Sequence, residues 1–301
     1  MISKYTYKGL TWIDLESPSF EELHHIAEEY AIPESVKKEV GQISDHSKVE
    51  PYANSIYLIL HFPEQNHRKD GTIGQEIDFI IGEKFMITVH YKSSHSLSLF
   101  SKSFEDGKIF EQKTDLDHIG VVVYSLIKTL YSQSHQDLEM ISKVIKNTKY
   151  QIYKSNGSNA ITDLLNANNV LIDFKLILGL HQDILESFEK ITKQFFSDKS
   201  AFYFSAIIDE YKKTKVVLEN HKEMLDNLRQ TNDSFLAKKT NETIRILTII
   251  TIPVYSIMLI SSIFVLSRDI LSSRTEFYLV LIAMFITSII TFIYFRLKKC
   301  I

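Results

Sequence analysis

The chain has 301 residues, 34 Lys and Arg against 37 Asp and Glu, a net charge of −3 and a single cysteine. The near balance excludes the basic excess of a nucleic-acid binder and the acidic block of a disordered tail. One cysteine, Cys300, excludes an intramolecular disulfide framework and fits a reducing compartment.

The first twelve residues, MISKYTYKGLTW, lack the apolar run of a signal peptide, so the domain that follows is expected to stay in the cytoplasm. Leu10 to Leu15 reads as a short strand. Ser17-Pro18 then reads as a helix cap and first-turn proline opening a helix to about Tyr30, and Pro33 starts a shorter helix through Val40. Ile56 to Phe62 is apolar on both alternating faces, which suits a buried strand. Gln75 to Ile81 and Lys84 to Tyr91 make two more, with Gly82-Glu83 as the turn between them and Glu64 to Gly74 as a longer loop. This part predicts an α/β domain.

Past Ser93 strand signals stop. Three helical stretches are expected, Asp117 to Tyr153, Ala160 to Phe196, and Ala201 onward, broken at Ser155 to Asn159 and Ser197 to Ser200. In the third, Ile207, Tyr211, Thr214, Leu218, His221, Leu225, Leu228, Asn232 and Phe235 recur at spacings of four and three, a heptad seam in need of partner helices. No helix breaker intervenes before Pro253, so this stalk is expected to continue into the stretch that follows, a rod of about 90 to 100 Å at about 1.5 Å per residue.

That stretch, Ile246 to Ser267, has no charged side chain and is long enough to cross a hydrocarbon core about 30 Å thick. A second, Phe277 to Phe295, follows after a short loop, 268 to 276, with two basic and two acidic residues. Lys238, Lys239 and Arg245 precede the pair, and Arg296, Lys298 and Lys299 follow it, which predicts a multi-pass protein of the plasma or inner membrane with both termini in the cytoplasm. The expected fold class is therefore α+β. It has a cytoplasmic α/β domain over 1–112, a helical region and stalk over 113–240, and a transmembrane hairpin over 241–301.

Along the first span Asn241, Ile244, Thr248, Thr251, Tyr255, Met258, Ser262 and Val265 step by three or four on one side of the helix, and this side carries most of the span's polar atoms. Leu247 and Tyr255 are placed to form an apolar constriction. Two readings are open for the hydroxyls: they line a pore, or they bond back to their own helix carbonyls or to a neighbour helix. His24-His25, His61 and His90 show no metal-ligand spacing, and no glycine-rich phosphate loop or nucleophile elbow occurs, so no enzyme and no cofactor are expected.

The residues resemble the CorA-type magnesium transporters over nearly the whole chain. Trp12-Ile13-Asp14-Leu15 with Ser17-Pro18, Lys48-Val49-Glu50, Tyr57-Leu58-Ile59-Leu60-His61-Phe62-Pro63, Glu76-Ile77-Asp78-Phe79-Ile80-Ile81-Gly82 and Phe85-Met86-Ile87-Thr88-Val89-His90 are similar to that family's cytoplasmic domain in order and spacing. Asn241-Glu242-Thr243-Ile244-Arg245-Ile246-Leu247-Thr248-Ile249-Ile250 resembles the start of its first span. The resemblance implies a funnel-shaped homopentamer in the lipid bilayer. Its first spans would ring a pore for divalent cations, Mg²⁺ first among them. The family's Gly-Met-Asn filter falls on Val265-Leu266-Ser267. Backbone and amide oxygens there hold a cation that keeps its water shell, because Mg²⁺ dehydrates reluctantly. The replaced signature leaves Zn²⁺, Co²⁺, Ni²⁺ or chloride as other transported ions, and a non-conducting membrane-anchored structural or regulatory protein as another class. The family's regulatory metal site, early in the stalk, falls on Asp209 and Glu210.

Overall fold

A computed structural model describes residues 1–44, 46–63, 74–110, 118–153, 157–196, 198–266 and 274–297. They divide into two units, Met1–Asn227 and Leu228–Ile301.

The first unit is built on a six-stranded mixed sheet. Its strands are β1 (Ile2–Tyr7), β2 (Leu10–Glu16), β3 (Lys48–Pro51), β4 (Ile56–Phe62), β5 (Gln75–Ile81) and β6 (Phe85–His90), in spatial order β1-β2-β6-β5-β4-β3. Only β2 and β6 run parallel; the other neighbours are antiparallel. Every residue of β4 and β5 is buried, as expected for central strands covered on both faces. On one face Ile13, Leu15, Tyr57, Ile59, Ile80, Ile87 and Val89 pack with Leu23 and Ile26 of α1 (Phe20–Glu29) and Val36 and Val40 of α2 (Glu34–Val40). On the other, Trp12 meets Phe100 of α3 (His95–Glu105) edge-on, with ring centroids 4.8 Å apart, and its indole N–H donates to Thr88 Oγ1 at 3.0 Å.

Helix α1 begins two residues later than expected. Ser19, not Ser17, is the cap: its hydroxyl accepts from the Glu22 N–H while the Glu22 carboxylate accepts from the Ser19 N–H. Ser17 sits at φ +43° and is used elsewhere, donating its N–H to His90 O at 2.8 Å and its hydroxyl to Tyr91 O. The β5–β6 turn closes by the Gly82 N–H on Phe85 O at 2.9 Å, so its tip is Glu83-Lys84. A Cβ on Gly82 would stand 2.2 Å from the Phe85 ring, so any other residue there would displace that ring.

Four helices follow α3: α4 (Ile119–Tyr153), α5 (Gly157–Gly179), α6 (His181–Phe195) and α7 (Asp198–Leu266). The stretch expected as one helix from Ala160 is two, parted at Gly179-Leu180. Gly157 to Asn159 and Asp198 to Ser200, expected as breaks, are helical, and Ser155, Asn156 and Ser197 lie outside the described residues. Helix α7 continues through Pro253 without interruption, as the stalk reading required. Within the first unit the seam residues Ile207, Tyr211, Thr214, Leu218 and Leu225 are buried.

The second unit contains the rest of α7 and α8 (Arg274–Leu297). Among the described residues, one helix is long and apolar enough to cross a membrane. Its most apolar 18-residue window has a mean hydropathy of 2.1 and is unburied, and a shorter apolar helix covers Tyr278–Thr291.

Candidate ion-conducting helix

The site read from the sequence lies along the C-terminal part of α7. Asn241, Ile244, Leu247, Thr248, Tyr255, Met258, Ser262 and Val265 are exposed in the single chain, and Thr251 is half-buried. Within the unit, the other half-covered positions of this span are Ile249, Pro253, Ser256 and Ile260, spaced four, three and four, which is one stripe of the helix. At about 100° per residue that stripe and the polar row have centres about 150° apart. On α8 the half-covered positions likewise recur at helical spacing, at Val280, Met284, Thr287, Ser288 and Thr291. The covered stripe on α7 escaped sequence reading because Ile249, Pro253, Ser256 and Ile260 are no more apolar than their neighbours.

The hydroxyl geometry decides one of the two open readings in part. Thr248 Oγ1 donates to Ile244 O at 2.8 Å and Thr251 Oγ1 to Leu247 O. Ser256, on the covered stripe, donates to Ile252 O at 2.9 Å. Back-bonding therefore occurs, yet it spends only the proton. A hydroxyl has one donor and two acceptor lone pairs, so Thr248 and Thr251 keep acceptors on the exposed side. Pro253 has no N–H, which leaves Ile249 O, four residues earlier, without its helical donor on the covered stripe.

At the outer end the helix remains regular through Leu266, so Val265 and Leu266, two of the three positions aligned with Gly-Met-Asn, are helical. Ser267 and residues 268–273 lie outside the described residues, as do Lys298 and Lys299.

In the stalk, Asp209 is exposed and Glu210 half-buried. The Glu210 carboxylate pairs with Lys213 Nζ at 3.1 Å, and Glu210 O accepts from Thr214 Oγ1. Among the described residues no group of three or more His, Cys, Asp or Glu is arranged to hold a metal ion. The histidines have other partners. His61 lies between Ser47 Oγ and Ser44 O, at 2.9 Å from each. His90 reaches Lys92 O at 2.5 Å and Asp14 Oδ2 at 3.4 Å, and the Asp14 carboxylate raises its pKa against the lowering effect of burial. His181 is fully buried against Tyr131 OH at 2.7 Å, and desolvation pushes its pKa down to about 3.

Known proteins supply the wider context. The chain is 22% identical to the magnesium transport protein CorA of Wolinella succinogenes, over 98% of this chain and 92% of that one. It is 17% identical to the cobalt/magnesium transport protein CorA of Thermotoga maritima, over 96% of this chain and 83% of that one. Its fold matches the complete structure of the CorA magnesium transporter from Methanocaldococcus jannaschii with a TM-score of 0.79 at 17% identity, covering 98% of this chain and 96% of that one. With the family model for CorA-like Mg²⁺ transporter proteins matching residues 7–299, the chain belongs to the CorA-like Mg²⁺ transporter family.

Proposed function

We propose that this chain is a channel subunit passing divalent cations, Mg²⁺ first among them, passively through a central pore lined by α7. Copies of the chain, five by the family resemblance, surround that pore in the plasma or inner membrane, with α8 as a second span outside the ring and both termini in the cytoplasm. The driving force is the electrochemical gradient, about 2.3 kcal/mol per elementary charge per 100 mV. The observation that carries the reading is the face of α7. Apart from the half-buried Thr251, the row from Asn241 to Val265 is exposed in the single chain, away from the stripe the unit already covers, and other copies are needed to enclose it.

The hydroxyls favour a cation as cargo. Thr248 and Thr251 direct their protons into their own helix and offer lone pairs outward, which suits the water shell of a hydrated cation better than it suits chloride. Leu247 and Tyr255 form the apolar constriction. Val265, Leu266 and Ser267 form the altered filter, and its ring offers no asparagine amide. A regulatory divalent cation between copies would draw on Asp209, which is exposed beside Glu210.

The test is flux in liposomes with ion-sensitive dyes for Mg²⁺, Zn²⁺, Co²⁺, Ni²⁺ and Cl⁻, alongside cysteines at positions 251 and 258. Divalent flux, and labelling of both cysteines by aqueous thiol reagents in the open channel, are expected. Silence of the native protein together with flux after restoring Gly-Met-Asn at 265–267 would overturn the channel reading. It would favour the second reading, a non-conducting anchored protein, which the unbroken helix across Val265 and Leu266 supports.

A further inference from the structure

Away from the membrane helices, two carboxyl groups are buried inside the sheet. Glu76 and Asp78 stand two apart on β5, so both face the side covered by α1 and α2. Asp78 is fully buried and Glu76 is 5% exposed. Each has one oxygen engaged: Asp78 Oδ2 accepts from Tyr57 OH at 3.2 Å, and Glu76 Oε2 accepts from the Ser44 N–H at 2.7 Å, with His61 Nε2 at 3.4 Å. Each also has one buried oxygen, Asp78 Oδ1 and Glu76 Oε1, with no partner among the described residues. Both belong to neighbouring side chains on one face of the strand, where the Glu76 carboxyl, by its charge and by hydrogen bonding, favours the protonated form of Asp78. Two ionised carboxylates so placed would repel in a dry site, and two orphaned acceptors would each go unsolvated. One proton between them turns both faults into a hydrogen bond.

We propose that Asp78 holds a proton that it shares with Glu76 in the closed sheet and that the pair acts as a latch on the segment leading out of α2, holding Ser44 while that proton is present and releasing it when the proton is lost. The charged groups around the pair set the direction. From β4, Tyr57 and His61 face it; from α2, Glu39; from β3, Lys48 and Glu50; beyond β6, Tyr91, whose hydroxyl donates to Val40 O. Helix α1 presents Leu23 and Ile26. Lys48 is already held by Glu39 at 2.5 Å and Glu50 at 2.9 Å, so neither carboxyl of the pair gains it as a counter-ion. Burial first, then the Glu76 charge, raise the Asp78 pKa well above the carboxylate range. A group whose folded pKa is raised contributes stability that is complete below its unfolded value, near 3.9, and is lost as pH rises toward the folded value. The latch therefore tightens on acidification and loosens as the medium turns alkaline.

The test uses the full chain in detergent. Infrared difference spectra should show a protonated buried carboxyl at neutral pH in the native protein and lose it in Asp78→Asn. Amide exchange over residues 36–44, corrected for intrinsic rates, should show an opening equilibrium that rises about tenfold per pH unit, the signature of one linked proton. Asp78→Asn, a neutral isostere, should flatten that slope and melt no lower than the native protein at alkaline pH; Glu76→Gln should weaken the slope. His90→Gln, on the opposite face, should leave it unchanged, separating the latch from the other group that is stabilising when protonated. Absence of the protonated carboxyl at neutral pH, or an undiminished slope in both Asp78→Asn and Glu76→Gln, would overturn the proposal.

Discussion

Strand β4 and the apolar end of α7 are made of similar residues and end in opposite surroundings. Ile56, Leu58, Ile59 and Leu60 are fully buried, whereas Ile250, Tyr255, Met258, Leu259 and Ile263 are each at least 60% exposed in the single chain. Apolar composition states that a side chain leaves water; it does not state what it leaves water for. The sheet satisfies its strands with α1, α2, α3 and the helices beyond. The second unit leaves most of its apolar surface for lipid or for other copies. The first unit thus has an internal core to stabilise it, while on the proposed reading the second would draw its stability from lipid and from other copies.

The sharpest way to test this difference is to remove packing on each side of it. Trp12→Ala deletes a fully buried ring stacked with Tyr5 and edged by Phe100, and should cost about 3 to 5 kcal/mol in chemical denaturation of the full chain. A second test uses pH. His181 is neutral when folded and takes up a proton when unfolded below its ordinary pKa of about 6.5, so the folded state loses stability as pH falls from there toward 3. At up to about 1.4 kcal/mol per pH unit, the loss should approach 2 kcal/mol between pH 6.5 and 5, and His181→Gln should remove that part. The smallest effect is expected at Met258→Ala, which changes the exposed face of α7: unfolding of the first unit should shift by less than about 0.5 kcal/mol while ion flux changes. A loss as large as that at Trp12 would mean that this face is packed and not a pore wall.

The elements that were legible before the structure are those in which one physical demand dominates. Strands β4, β5 and β6 announce themselves by apolar residues on both faces, and α7 by an unbroken run with a regular seam. Strand β1 was missed because an edge strand with alternating exposed positions, Ile2 to Tyr7, carries no dense apolar face. Helix α3 was missed because its buried side is only Ser96, Leu97, Phe100 and Phe104 within a serine-rich run. The division at Gly179-Leu180 left only a glycine as its signal. At the site, the three-four period located the polar row, but neither the covered stripe opposite it nor the direction of the threonine protons can be read from residue types. The carboxyl pair did leave a trace: Glu76 and Asp78 interrupt an otherwise apolar central strand at a spacing of two, and buried acids there demand partners.

The parallel pairing of β2 with β6 sets an order on how the protein is made. Leu15 lies opposite Val89, so the sheet cannot close until about the ninetieth residue has been synthesised. The first long apolar stretch begins only at Ile246. At about 5 to 20 residues per second, the intervening chain gives the sheet roughly 8 to 30 s to assemble in water before anything hydrophobic enough for a bilayer leaves the ribosome. A slow, long-range strand pairing therefore has that interval available before the first apolar stretch is made.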